Sequence, residues 1–208
     1  MKTKLNVCRA ILIPRWAQRT PAQDICRNLL VNLQGIHLCM SYFLTSAHLG
    51  FRCWSEEDLP LAMGLWGDPE VSALIGGPFD LQMVRSRLMN EIADMRECGL
   101  QYWPSFLLDG DTHVGCAGFR LYNAEQRIYE LGVHLRTAFW KRGFAKESAR
   151  AMIEYGFDVL GAEALFAGHH PANDASRNLL LKLGFVRTHE ELYPPTGLMH
   201  PSYLLHKT

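Results

Sequence analysis

The feature that most restricts the fold of this chain is the order of its apolar patterns: a strand meander runs directly into helices and strands that alternate. Tyr102 to Leu108, the turn Asp109-Gly110-Asp111 and His113 to Arg120 read as a hairpin, with Ile128 to Leu135 as the next strand. A helix is expected from about Gly143 to Leu160, with Ala145, Ala149, Ile153 and Phe157 on one stripe, and Ala164 to Ala167 as a short apolar strand after it. Asn173 or Asp174 caps a helix ending at Leu183-Gly184, Phe185 to Arg187 opens another strand, and Tyr203-Leu204-Leu205 supplies the last. Upstream, Ala47 to Trp54 looks like a first strand, and Ser55-Glu56-Glu57-Asp58 is a capping-box pattern opening a helix through Leu65. Asp68-Pro69 starts a further turn that Gly76-Gly77-Pro78 breaks. Asp80 caps a longer helix carrying Val84, Leu88, Ile92 and Met95, with Gly99 just past its end. Helices, a meander and then alternation make an α+β or mixed-sheet single domain.

Composition excludes several functions. Lys+Arg and Asp+Glu both number 21, so no global basic surplus points to nucleic acid or to an anionic membrane. The cysteines Cys8, Cys26, Cys39, Cys53, Cys98 and Cys116 have neither zinc nor redox spacing, and are read as reduced thiols in a cytoplasm. Pro14 and Arg15 end the apolar run Ala10 to Ile13 too early for a signal peptide. Asn32, Gln34 and His37 interrupt Leu29 to Leu44, which also falls short of the roughly 20 residues of a spanning helix. Residues 1–40 show no clean period and read as an N-terminal extension, either loosely packed or upstream of a natural beginning at Met40. Residues 41–208 read as the domain.

The chemistry centres on Phe139-Trp140-Lys141-Arg142-Gly143-Phe144-Ala145-Lys146-Glu147, between a strand and a helix. Unpartnered N–H groups at such a junction, with the helix dipole behind them, form an anion site suited to a pyrophosphate. Gly143 admits close backbone approach, Ala145 keeps the next turn clear, and Lys141 and Arg142 add positive charge.

Taken with Asn173-Asp174-Ala175-Ser176 and Leu183-Gly184-Phe185, the run Arg142 to Glu147 resembles the acetyl-CoA motif region of the GNAT N-acetyltransferase superfamily, most closely its RimJ/RimL-type branch. Leu49 to Trp54, Trp66-Gly67-Asp68-Pro69-Glu70-Val71, Gly76-Gly77-Pro78-Phe79 and Gly115 to Phe119 are similar to that branch as well. The resemblance covers about Ala47 to the carboxyl terminus. One departure is Lys141, which stands where the family's loop has its first glycine, so a residue with a side chain must take that backbone position.

The resemblance implies a GNAT acyl-CoA N-acyltransferase fold, a mixed, mostly antiparallel central sheet flanked by helices, with acetyl-CoA as co-substrate and no metal. It implies a soluble, cytoplasmic enzyme moving an acetyl group onto a primary amine by direct attack in a ternary complex. The acceptor is left open between a protein α-amino group and a small molecule: a protein would favour an open groove, a small amine a closed pocket. A homodimer is also left open, with Trp16, Tyr42 and Phe43 able to contribute. Val133 and Leu135 are placed against the pantetheine arm, Lys141, Arg142, Gly143, Phe144 and Ala145 around the pyrophosphate, and Asn173 and Ser176 near the thiol end. Glu130 is the first choice as general base, against its being a solvated strand residue; His134, on the same strand face, is the alternative. Ser176 is the candidate acid toward the leaving thiolate, with Tyr193 and Tyr203 as alternatives, while Asn173 and Ser176 also make good capping chemistry. The proline-rich stretch Tyr193 to Tyr203 is read as a loop that closes over the acceptor, against a plain rigid connector. The competing reading is a catalytically inactive CoA-binding sensor or interaction module on the same fold.

Overall fold

The computed structural model describes residues 42–207; the extension read for residues 1–40 lies outside them. In chain order the elements are β1 (Leu44–Thr45), β2 (Leu49–Phe51), α1 (Leu59–Trp66), α2 (Pro69–Ser72), α3 (Leu81–Cys98), β3 (Tyr102–Leu107), β4 (His113–Asn123), β5 (Ile128–Leu135), α4 (Phe144–Asp158), β6 (Ala164–Gly168), α5 (Asp174–Lys182), β7 (Val186–Tyr193) and β8 (Leu198–His206). The strands form one eight-stranded sheet in the order β1-β2-β3-β4-β5-β6-β8-β7. Every neighbouring pair is antiparallel except β5–β6. The α+β expectation of a mixed, mostly antiparallel sheet flanked by helices is met.

Local chemistry sets the helix ends. Asp68 Oδ1 accepts from Glu70 N–H and Asp80 Oδ1 from Met83 N–H, each at 2.8 Å, capping α2 and α3 as their positions suggest. Gly99 closes α3 in the left-handed conformation at φ 71°. The Ser55–Asp58 pattern first makes a 3₁₀ turn over Glu56–Asp58, and α1 follows it with Pro60 in its first turn.

Each face of the sheet has its own apolar layer. On one, α4 presses Ala149, Met152 and Tyr155 onto Phe119, Leu131, Leu135 and Leu165. On the other, α1 and α3 bring Leu65, Trp66, Val84, Leu88 and Ile92 against Trp54, Tyr102 and Cys116. The alternation along β5 therefore sends Tyr129, Leu131, Val133 and Leu135 toward α4, and leaves Glu130, Gly132 and His134 on the α1/α3 face.

Three expectations need correction. The first strand is short, Leu49–Phe51, and Leu44–Thr45 makes a separate pairing with it. The stretch Tyr193 to Tyr203 is not a loop: β7 runs to Tyr193 and β8 starts at Leu198, leaving a tight turn in which Thr196 N–H and Gly197 N–H donate to Tyr193 C=O. Most of β7 is exposed on both faces, so it has no apolar alternation, and Pro201 inside β8 reads as a break. The all-thiol reading holds for Cys116, a buried free thiol, and fails at Cys53, which is disulfide-bonded.

The buried pair Arg52–Asp58 ties the start of the sheet to α1. Arg52 Nη1 and Nη2 donate to the two carboxylate oxygens at 2.7 Å, and the guanidinium covers the Phe106 ring at 4.4 Å. Burial alone would raise the Asp58 carboxyl, but Arg52 and the Ser55 hydrogen bonds outweigh it and hold the pKa below the ordinary value. A depressed carboxylate contributes stability that is present above its unfolded pKa and lost as pH falls through the folded one. Asp58→Asn leaves Arg52 without its counter-ion and is expected to cost about 3 kcal/mol. Denaturant unfolding checks this, and the variant's stability should fall less steeply than the wild type's as pH is lowered.

Candidate active site

The site begins where two strands part. β5 pairs with β4 from Gly115↔Leu135 to Asn123↔Ile128, but with β6 only at Ile128↔Ala164, Tyr129↔Leu165 and Glu130↔Phe166. Beyond Phe166, β6 keeps to β8, with Ala167↔Tyr203 and Gly168↔Ser202. Arg136 N–H donates to Val114 C=O at 3.0 Å, so by the two-residue alternation Glu130, Gly132 and His134 turn their backbone groups toward β4. Leu131, Val133 and Leu135 turn theirs toward the widening gap. Leu135 C=O is already taken by the Trp140 indole N–H at 2.8 Å, which leaves Val133 with both groups facing the gap. An extended chain with amide groups of its own fits such an edge.

At the wide end lies the junction with α4. Lys141 adopts φ 58° and Gly143 φ 90°, two left-handed residues that turn the chain sharply into the helix. Lys146 and Glu147 N–H both bond to Gly143 C=O, so the N–H groups of Phe144 and Ala145 have no acceptor within the helix. Arg142 is exposed, its guanidinium 5.3 Å and 5.4 Å over the Phe139 and Phe144 rings. This makes an exposed, positively charged cradle of backbone N–H groups on the dipole end of α4. Glu147 faces the other way and braces the helix: it accepts from Ser46 Oγ (2.6 Å) and His48 N–H (2.7 Å) in the β1–β2 connection.

On the far side of the gap, Asn173 caps α5, its Oδ1 accepting from Ser176 N–H at 3.0 Å. The capping alternative is therefore realised, and Ser176 sits in the first turn of the helix, partly exposed. His169 and His170 follow β6; His169 stacks on Tyr203 and His170 lies edge-on to His200. Among the described residues no group of three or more His, Cys, Asp or Glu is placed to hold a metal ion.

The α1/α3 face carries the titratable groups. Gly132 is required there, since a Cβ would lie 2.3 Å from the Tyr102 ring, which packs flat against that residue between Glu130 and His134. Tyr102 in turn is fixed by Glu91 on α3: one carboxylate oxygen accepts Tyr102 N–H at 2.7 Å and the other accepts Arg120 Nη2 at 2.8 Å. Burial raises the Glu130 carboxyl above the usual carboxylate value and Glu191 adds to it, while Arg120, Arg87 and the Tyr102 hydrogen bond oppose. His134 behaves differently. The Trp66 indole N–H donates to its Nδ1 at 3.2 Å, and burial with the charges of Arg87 and Arg120 holds its pKa well below normal. Nδ1 is thus occupied as an acceptor of the Trp66 indole.

Above this face the β7–β8 turn reaches the connection between α2 and α3, where Pro195 packs so closely that a Cβ at Gly76 would come within 2.6 Å of its side chain. Tyr193, at the same turn, is half-buried, and Glu130, Arg87 and Arg120 all act on its phenol. The sequence reading singled out Glu130, His134 and Tyr193 but missed Tyr102, Glu91, Arg120 and Arg87. Of these, Glu91 alone left a readable signal, as an acidic residue on the buried stripe of α3 beside Leu88, Ile92 and Met95.

Residues 48–186 match the family model for the acetyltransferase (GNAT) domain. The chain belongs to the GNAT acetyltransferase family. It is 36% identical over 137 residues to the uncharacterized N-acetyltransferase YoaA of Bacillus subtilis (strain 168), covering 66% of this chain and 72% of that one. It is 35% identical over 176 residues to the FsC-acetyl coenzyme A-N(2)-transacetylase of Aspergillus fumigatus, covering 74% and 71%. The fold matches that of an acetyltransferase from Agrobacterium tumefaciens with TM-score 0.68 at 22% identity, over 84% of this chain and 99% of the other. This GNAT chain is thus an acetyl-CoA-dependent N-acetyltransferase, and no helix among its described residues is long and apolar enough to cross a membrane.

Two variants test the junction. Lys141 holds a left-handed backbone that costs an L-residue roughly 1–2 kcal/mol, partly offset by the freedom glycine loses on folding. Lys141→Gly is expected to raise stability by about 0.5–1 kcal/mol, read as an increase in Tm; an unchanged Tm counts against strain at this residue. Arg142→Glu reverses an exposed charge without touching the core, and should weaken acetyl-CoA binding about 10-fold or more by calorimetry. Unchanged affinity would remove Arg142 from the cradle.

Proposed function

We propose that this chain acetylates small primary amines, with Glu130 as the general base. The observation that carries the reading is the position of Glu130: it is the last residue of β5 paired with β6, at the root of the gap, on the face roofed by the β7–β8 turn. The pantetheine arm lies along the open edge of β5 against Leu131 and Val133, its pyrophosphate on Lys141 to Ala145. The thioester then stands beside Glu130. Burial raises the pKa of this carboxylate and so makes it a stronger base than an ordinary one; in its ionised form it removes the ammonium proton directly or through water. The free amine attacks the thioester carbonyl and the tetrahedral oxyanion is met by a backbone N–H of β5; as the C–S bond breaks, the thiolate takes a proton from Ser176, and the proton shed by the attacking nitrogen restores the serine hydroxyl through water. His134 orients the pocket through Trp66 rather than taking the proton.

The roof favours a small acceptor. A protein amino terminus needs an open groove, and Pro195 against Gly76 spans the place where one would run. The RimJ/RimL resemblance is therefore taken to describe the scaffold and the donor site more than the choice of acceptor, and the enzyme is assigned to the cytoplasm, where acetyl-CoA and free amines meet. The inactive-sensor alternative predicts donor binding with no thiol release on any amine.

Glu130→Gln should lower kcat by on the order of 10²- to 10⁴-fold with little change in acetyl-CoA affinity. In the wild type, kcat/KM should fall as pH drops through a pKa above the ordinary carboxylate value, because protonated Glu130 cannot accept a proton. The variant should lack that acid limb. Free-thiol release across pH 5–9 measures both, and an unchanged acid limb in Glu130→Gln would assign the base elsewhere.

A further inference from the structure

Arg87 lies on α3, one helical turn before Glu91. Its guanidinium stacks over the Trp66 ring at 4.5 Å, and its Nε is buried with no hydrogen-bond partner. Glu91, the nearest acid on its helix, is committed to Arg120 and to Tyr102 N–H. Among the described residues no carboxylate is bridged to Arg87. Its charge nevertheless acts on Glu130, His134, Tyr102 and Tyr193, which puts it in the pocket of the proposed base.

The charges of that pocket are unevenly spent. Glu91 and Arg120 neutralise each other, leaving a positive pole at Arg87 and a negative one at Glu130. An acceptor with an apolar or neutral tail would strip the remaining water from a guanidinium that nothing else satisfies, which is unfavourable. A carboxylate supplies two oxygens in the geometry a guanidinium fork takes, with Trp66 holding the fork in plane beneath it. The two poles then match the two ends of a molecule that carries both an amine and a carboxylate.

We infer that Arg87 receives a carboxylate of the acceptor, and that the acceptor belongs to the class of small amino acids or amino-acid-like amines. This rests on the acetyltransferase reading of the Glu130 site and names the substrate class that site takes.

The test compares matched amines with and without a carboxylate: L-leucine against 3-methylbutylamine, and L-phenylalanine against 2-phenylethylamine, with phosphoethanolamine as a second kind of anion. Thiol release is followed for the wild type, Arg87→Met, which keeps an apolar stem on Trp66, and Arg87→Lys. The expected result is a kcat/KM preference for the amino acids of about 10²-fold or more. Arg87→Met should erase it, mainly through KM, with acetyl-CoA affinity unchanged; Arg87→Lys should keep part of it. Equal or better turnover of the decarboxylated amines, a preference that survives in Arg87→Met, or phosphoethanolamine outrunning both amino acids would each overturn the inference. If acetyl-CoA binds but no amine is turned over, the transfer reading fails and binding alone decides. Tryptophan fluorescence is then titrated with N-acetyl-L-leucine and N-acetyl-3-methylbutylamine. Binding that needs the carboxylate and is lost in Arg87→Met sustains the inference; equal binding of the two overturns it.

Discussion

Backbone amides inside a sheet need partners, and β5 meets that need on one side only for most of its length. The cause lies in β6, which after Phe166 commits its pairing to β8 and draws away. Everything that makes a site of this sheet depends on that separation. It exposes Val133 without exposing the core, because the side chains of Leu131, Val133 and Leu135 remain packed toward α4. It also aims the gap at the amino end of α4, since the helix starts a few residues after the strand ends. In the proposed reading, donor recognition thus uses backbone groups and a helix terminus, and few side chains.

The face proposed for acceptor chemistry lies opposite and is built differently, from buried charges. Glu91 is almost fully enclosed yet fully satisfied, and through its two oxygens it fixes both Tyr102 and Arg120. Tyr102 can lie where it does because position 132 has no side chain. A change at Glu91 would therefore act at Glu130 through two intermediates, without touching the reacting atoms. The roof from the β7–β8 turn completes the enclosure and makes the electrostatics of the pocket matter, since charge interactions strengthen as water is excluded.

Much of this architecture was legible in the residue pattern. Capping at Asp68, Asp80 and Asn173, the stop at Gly99, the meander and the crossover through α4 all follow local rules that the structure obeys. The turn into α4 was legible for the same reason: it is a contiguous run whose glycine and helix start are local signals. Even the odd Lys141 pointed to its own consequence, a side chain held at positive φ. The pocket proposed for the acceptor was not legible. Its members come from α1, α3, β3, β4, β5 and the β7–β8 turn, and only tertiary packing unites them. The C-terminal hairpin escaped because it stands away from the core, where no buried face enforces alternation.

The parting of β5 and β6 also has a mechanical side. The sheet amounts to two panels, β1 to β5 and β6 to β8, sewn together by a seam three residue pairs long at Ile128, Tyr129 and Glu130 and lapped by α4. The other end of the join is open. On the proposed reading, a donor lying in the gap would bond to the edge of one panel and pack against the other, and would serve as a bolt across that end as well as a reactant. Its release after each turnover would loosen the fit between the panels, and with it the enclosure over Glu130, at the moment when the acetylated product has to leave.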